Sequence, residues 1–260
     1  MKSISAVNLA QIQELESIVG TAGISCWQDA GAFWQEKLKS AIAPDTDIDC
    51  IVFPHTQAEL AAVVACASRN PAGILICGNG SKINWGGLVK LDPPHPAGEL
   101  SEPPLFSSVG AIVAVSTGRL NRLIEHAVGD LTVTAEAGMK FADLQQILAA
   151  SGQFLAIDPA YPQHATLGGI VAAADAGSLR HRYRGVRDLL LGISFVRSDG
   201  KIASSGGRVV KNVAGYDLMK LFAGSYGTLG VISQVTFRVY PLPVASATVV
   251  LIGETDALAQ

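Results

Sequence analysis

The feature that most limits what this chain can fold into is glycine placed where apolar segments begin or end. Gly224, Gly227 and Gly230 lead into a run that alternates from Val231 onward. Val231, Ser233, Val235, Phe237 and Val239 fall on one side, and Ile232, Gln234, Thr236, Arg238 and Tyr240 on the other. That period predicts a half-buried strand. Just upstream, Lys211-Asn212-Val213-Ala214-Gly215-Tyr216-Asp217-Leu218 opens a short apolar helix expected over 216–222, which Gly224 can end by adopting a left-handed conformation. A backbone without side chains before a strand lets a flat ligand approach main-chain N–H and C=O groups. A tight turn followed by an ordinary strand reads equally well from these residues alone.

The second glycine site points to an anion. Gly73-Ile74-Leu75-Ile76-Cys77 reads as a fully apolar strand and opens into Gly78-Asn79-Gly80-Ser81-Lys82, with Gly86-Gly87 beyond. Successive N–H groups in such a turn form an anion nest, to which Ser81 adds a hydroxyl and Lys82 a positive charge. The spacing is not that of a Walker A loop, and residues 83–87 do not start the amphipathic helix of a Rossmann fingerprint. A solvent-exposed turn is the competing reading. A third site, Ala165-Thr166-Leu167-Gly168-Gly169-Ile170, precedes small residues 171–174 and predicts a tightly packed helix whose N-terminus suits a negative group. Close packing of that helix on a sheet explains the same glycines.

Between these sites the chain alternates helical and extended patterns. Residues 1 to about 45 read as helical, with Ile12, Leu15, Ile18 and Val19 at helical spacing. Residues 50–53 read as a strand, and Thr56 with Glu59 has the spacing of a capping box for a helix buried through Leu60, Val63, Val64 and Ala67. Five prolines between Asp92 and Pro104 predict an irregular loop. Residues 111–115 read as a strand. In 131–137, Leu131, Val133, Ala135 and Ala137 are expected inward, Thr132, Thr134 and Glu136 outward. Gly138 follows, and Phe141, Leu144, Ile147 and Leu148 form a helix stripe closed by Gly152. Residues 189–196 and 244–252 read as further strands.

Composition removes several classes. Half of the residues are hydrophobic and the formal net charge is −3, which argues against disorder and against general attraction to nucleic acid or anionic membrane. The basic cluster Arg180, His181, Arg182, Arg184 and Arg187 belongs to no nucleic-acid module and reads as a loop. The N-terminus lacks a continuous apolar core, so it is not read as a secretory signal, and no run is long enough to span a bilayer. Cys26, Cys50, Cys66 and Cys77 show no paired spacing and read as buried thiols in a reducing cytoplasm; no metal site is expected.

Taken in order, Gly78-x-Gly80-Ser81-Lys82, Glu136-Ala137-Gly138, Ala165-Thr166-Leu167-Gly168-Gly169, Val186-Arg187-Asp188, Lys211 to Asp217 and Gly224-Ser225-Tyr226-Gly227-Thr228-Leu229-Gly230 resemble FAD-linked oxidases of the vanillyl-alcohol oxidase / p-cresol methylhydroxylase type. Within that superfamily the likeness is to the FAD-binding subunits of glycolate oxidases. The resemblance implies an α+β fold in which two α/β subdomains hold FAD between them. It implies an N-terminal helical segment (1–46), an FAD-binding domain (47–243) and the start of a cap domain (244–260). By position, Gly78, Asn79, Gly80, Ser81 and Lys82 would cradle the diphosphate together with Ala165, Thr166, Leu167, Gly168 and Gly169. Gly138 and Gly230-Val231-Ile232 would lie near the isoalloxazine or the adjoining chain. No histidine stands in the first glycine loop, so the FAD is expected to be non-covalent.

The implied activity is oxidation of a small 2-hydroxy acid such as glycolate, with a catalytic flavoprotein and an iron–sulfur subunit as partners. The expected location is the cytoplasm, reaching a membrane only through those partners. A non-catalytic electron-relay or assembly subunit, or a related enzyme such as a D-lactate dehydrogenase, are the alternatives. No catalytic base is assigned; His164 and His181 lie near the expected flavin loops and read as structural.

Overall fold

The computed structural model describes residues 9–44, 46–70, 72–90, 111–207 and 216–250. The Lys211–Gly215 part of the opening motif and the proline-rich loop lie outside the described residues.

The first half of the chain makes a four-stranded sheet. Its elements are α1 (Leu9–Val19), β1 (Ile24–Cys26), α2 (Ala32–Lys39), β2 (Ile48–Val52), α3 (Gln57–Arg69), β3 (Ala72–Cys77) and β4 (Ala111–Ser116). The order is β1-β2-β4-β3, with β2, β4 and β3 parallel and β1 antiparallel on the edge. Parallel strands need cover on both faces, which is why β2 to β4 are apolar apart from Asp49 and Ser116 rather than alternating. Leu15 of α1 and Leu60, Val63 and Val64 of α3 cover Cys50, Val52, Val113 and Val115. Leu38 of α2 lies on the opposite face with Ile51, Leu75 and Ile112. The expectation of a helical N-terminal segment is corrected by β1: Gly20 turns the chain at φ 75, and Ile24 to Cys26 pair with β2 instead.

The cap of α3 also differs in detail. Thr56 Oγ1 accepts the Glu59 N–H at 3.1 Å, but the Glu59 carboxylate accepts from the His55 N–H at 2.8 Å, one residue earlier than a capping box requires.

The second half builds an antiparallel sheet in the order β5-β6-β10-β8-β9. It comprises β5 (Leu123–Ala127), β6 (Thr132–Glu136), α4 (Phe141–Ala149), β7 (Gln153–Phe154), α5 (Leu167–Ala173), α6 (Arg180–Tyr183), α7 (Val186–Leu189), β8 (Leu190–Val196), β9 (Ile202–Gly206), α8 (Met219–Phe222), β10 (Val231–Arg238) and β11 (Tyr240–Pro241). Leu144 and Leu148 of α4 and Leu167, Ile170 and Val171 of α5 form one core with Val133, Ile193, Val235 and Phe237.

Four expectations fail here. The alternation read through β10 is broken by a bulge against β8 between Ile232 and Gln234. One extra residue reverses the facing. Val231 therefore joins the cluster around α3, whereas Ile232, Val235 and Phe237 join the core around α5. Ser233 hydroxyl accepts from Gln57 Nε2 of α3 at 2.8 Å, so the bulge is where the two halves meet.

The supposed outward face of β6 is also buried: Thr132, Thr134 and Glu136 are each under a tenth exposed. Thr134 and Thr236 share a hydroxyl hydrogen bond of 2.9 Å, and Glu136 accepts from the Arg122 N–H and guanidinium. The strand expected from Val244 is absent over 244–250, where Val244, Val249 and Val250 are exposed; the chain pairs earlier, through Tyr240 and Pro241 on β7. Likewise only Met219–Phe222 of the helix expected over 216–222 is helical.

Candidate functional site

The loops that leave the two sheets meet in one cleft. Its walls come from the end of β3 and residues 78–83, from Gly86, Gly87 and Thr117, from Thr166 and α5, and from Tyr226, Gly227, Thr228, Gly230 and Ile232. Of the residues expected at a cofactor, Gly78, Asn79, Gly80, Ser81, Lys82, Thr166, Gly168, Gly169, Gly230 and Ile232 line it. Gly138, Ala165, Leu167 and Val231 do not; the last three are buried in the cores. A Cβ on Gly138 would stand 1.9 Å from the Thr117 carbonyl oxygen, so that glycine serves a close backbone crossing.

The two glycine sites touch directly. A Cβ on Gly78 would come within 2.1 Å of Thr166 Oγ1, and Asn79 Nδ2 donates to the His164 carbonyl at 3.1 Å. Ser116 Oγ donates to the Gly78 carbonyl at 2.9 Å, tying the first loop to β4 as well. On the far wall, the Gly224 and Tyr226 N–H groups donate to Val171 and Ala172 at the end of α5. In that loop Gly227 at φ 82 and Gly230 at φ 151 line the cleft beside Tyr226 and Thr228, in backbone conformations that favour glycine.

Donors are distributed otherwise than the spacing suggests. The first N–H groups of α5 are already used: Leu167 donates to Met139 O, Gly168 to Ala137 O and Gly169 to Thr166 Oγ1. Gly168 is required by packing, since a Cβ there would lie 2.8 Å from Ala137 Cβ. The Gly80 and Ser81 N–H groups, by contrast, have no acceptor among the described residues. Among the described residues the uncommitted amides therefore lie in the first loop, not at the helix.

Lys82 is not a free cation either. Its Nζ sits 3.3 Å from Asp175 Oδ2 and donates to the Ala160 carbonyl at 3.1 Å, while Asp175 also accepts from the Ala160 N–H at 2.9 Å. Both side chains are almost wholly buried. Burial pulls the Lys82 pKa down from its usual value, and the Asp175 carboxylate offsets part of that. The cation thus fastens the first loop to the 160–175 segment, a role that sequence alone signals only through a lysine beside a glycine turn.

Among the described residues the cleft wall carries no histidine or carboxylate. His164 and His181 are exposed and outside it. Among the described residues no group of side chains is placed to hold a metal, and no helix is long and apolar enough to cross a membrane. Cys50, Cys66 and Cys77 are buried as expected, but Cys26 is exposed, because β1 is an edge strand.

Residues 96–206 match the family described as FAD binding domain, which indicates FAD as the cofactor. In sequence it is 40% identical to Glycolate oxidase subunit GlcE of Escherichia coli over 125 residues, 48% of this chain and 36% of that protein. It is 27% identical to Glycolate oxidase subunit GlcD of Bacillus subtilis over 213 residues, 82% of this chain and 41% of that protein. A mitochondrial D-lactate dehydrogenase [cytochrome] of Arabidopsis thaliana is 29% identical over 78% of this chain and 32% of its own length. The chain thus spans about two-fifths or less of the length of these relatives. Among solved structures, an alkyldihydroxyacetonephosphate synthase superposes with a TM-score of 0.71 at 20% identity, covering 94% of this chain and 42% of that one. The grass pollen allergen Phl p 4 gives 0.67 at 14% identity, over 90% and 44%. These two establish the fold.

Proposed function

We propose that this chain is the FAD-binding part of a flavin-dependent 2-hydroxy-acid oxidoreductase of the glycolate oxidase kind. The observation that carries the reading is one cleft between two sheets, walled by glycine turns from both and supplied with N–H groups at Gly80 and Ser81 that have no acceptor among the described residues. Those amides and the Ser81 hydroxyl suit a diphosphate. The bare wall at Gly227 and Gly230 suits a flat ring. When bound, FAD supplies the hydride acceptor for conversion of glycolate to glyoxylate. The chain's own residues bind and orient the cofactor, and Lys82 with Asp175 holds the two sides of its cradle together. The FAD is held without a covalent bond, beside a catalytic flavoprotein and an iron–sulfur subunit that takes the electrons, in the cytoplasm.

A second reading, a relay or assembly subunit without its own turnover, is favoured by a cleft wall that among the described residues carries no histidine or carboxylate. Anaerobic mixing of the purified flavoprotein with glycolate, and separately with D-lactate, distinguishes the two. Bleaching of the flavin by glycolate is the expected result. Bleaching by D-lactate alone would assign the related dehydrogenase activity, and no bleaching until partner subunits are added would support the relay.

A further inference from the structure

Cys26 and Cys50 are directly opposed on β1 and β2. The Phe53 N–H donates to the Gly23 carbonyl at 2.7 Å, which makes Gly23 and Phe53 a hydrogen-bonded pair. Counting along the antiparallel ladder, Ile24 and Val52 are then non-bonded, Ser25 and Ile51 bonded, and Cys26 and Cys50 non-bonded. Residues at such a position have Cα atoms roughly 4.5 Å apart with side chains on one face, inside the span of roughly 4.4 to 6.8 Å that a disulfide bridges. One thiol of the pair is exposed and the other is fully buried.

We infer that Cys26 and Cys50 form a reversible intrachain disulfide when the protein meets hydrogen peroxide. Cys26 loses its proton, and the thiolate attacks one peroxide oxygen; the O–O bond breaks, leaving a sulfenic acid and one water. The Cys50 sulfur then attacks that sulfur, its proton leaving with the hydroxyl as a second water. Two thiols and one peroxide become one disulfide and two waters. Burial pushes the Cys50 thiol up to about 12 and Cys66 up to about 11, so the exposed Cys26 is the one that starts the reaction. A dithiol reverses it.

The bond would close the loop that contains α2. That helix backs the first glycine turn: a Cβ on Gly80 would lie 3.4 Å from Lys37 Cβ and 4.0 Å from the Trp34 ring. Oxidation therefore pins the segment behind the candidate cofactor loop, a consequence that rests on the function proposed above, whereas the bond itself does not.

The test treats the full-length protein with a slight excess of hydrogen peroxide, blocks remaining thiols, and maps linked peptides by mass spectrometry without reduction. A Cys26–Cys50 linkage is expected, lost in Cys26→Ser and in Cys50→Ser and retained in Cys66→Ser. The melting temperature of the oxidised wild type should rise by about 5 °C or more and return with dithiothreitol. Absence of the linkage, a dominant Cys50–Cys66 bond, or dimers joined through Cys26 would overturn the inference. These readouts need no flavin, so they fail or succeed independently of the assignment of the cleft.

Discussion

At the scale of single residues, three side chains carry opposing costs. Lys82 and Asp175 are charged and nearly excluded from water, so removing one leaves the other buried and unpaired. Lys82→Met is expected to cost about 2–4 kcal/mol of unfolding free energy, and adding Asp175→Leu should recover much of it. Denaturant titration of the three variants checks this. Asp49 is a different case: one carboxylate oxygen is buried with no partner among the described residues, and burial, with Asp47 adding to it, raises its pKa to about 6 despite a bond from Ile112. A carboxyl whose pKa is higher folded than unfolded holds its proton in the native state. Stability from this group is present at low pH and is lost between about pH 4 and 6 as the pH rises. Because the group is only half-buried, Asp49→Asn should stabilise the protein at neutral pH by about 1–2 kcal/mol and flatten that slope. Arg184 sits at φ 74 and ψ −177, a region that suits glycine, so Arg184→Gly should gain about 1 kcal/mol in the same titration.

At the scale of elements, the glycines mean different things, and spacing alone does not separate them. Gly168 and Gly138 are demanded by close packing, whereas Gly80 lines the cleft at a positive φ of 70 with an N–H that has no acceptor among the described residues. A Cβ at Gly80 points toward Lys37 rather than into the cleft, so the cost of Gly80→Val is backbone strain that deforms the nest. That variant is expected to purify with little flavin while remaining folded; full flavin content, measured by absorbance after release, would remove this loop from the site. The parallel strands β2 to β4 were legible as short apolar runs, and α3 as a capped, striped helix, because those signals are local. The bulge in β10 and the buried polar face of β6 were not, since both depend on which element lies opposite. Alternation reports a period; it does not report that α3 arrives through Gln57 to cover Ser233.

At the scale of the whole molecule, two sheets of different kind are joined at the α3–β10 contact, and the cleft opens where their glycine-bearing ends converge. Sequence signalled the convergence through ordered motifs, but not that Lys82 would be consumed by Asp175 or that the α5 amides would be spent on β6 and its neighbours. Those facts are pairings between segments far apart along the chain. The central claim is that turns from both sheets grip one FAD. Hydrogen–deuterium exchange on flavin-free protein, before and after adding FAD, measures that most directly. The account predicts simultaneous protection of 78–82 and 226–231. Protection confined to the turns of one sheet, or to neither, would contradict it.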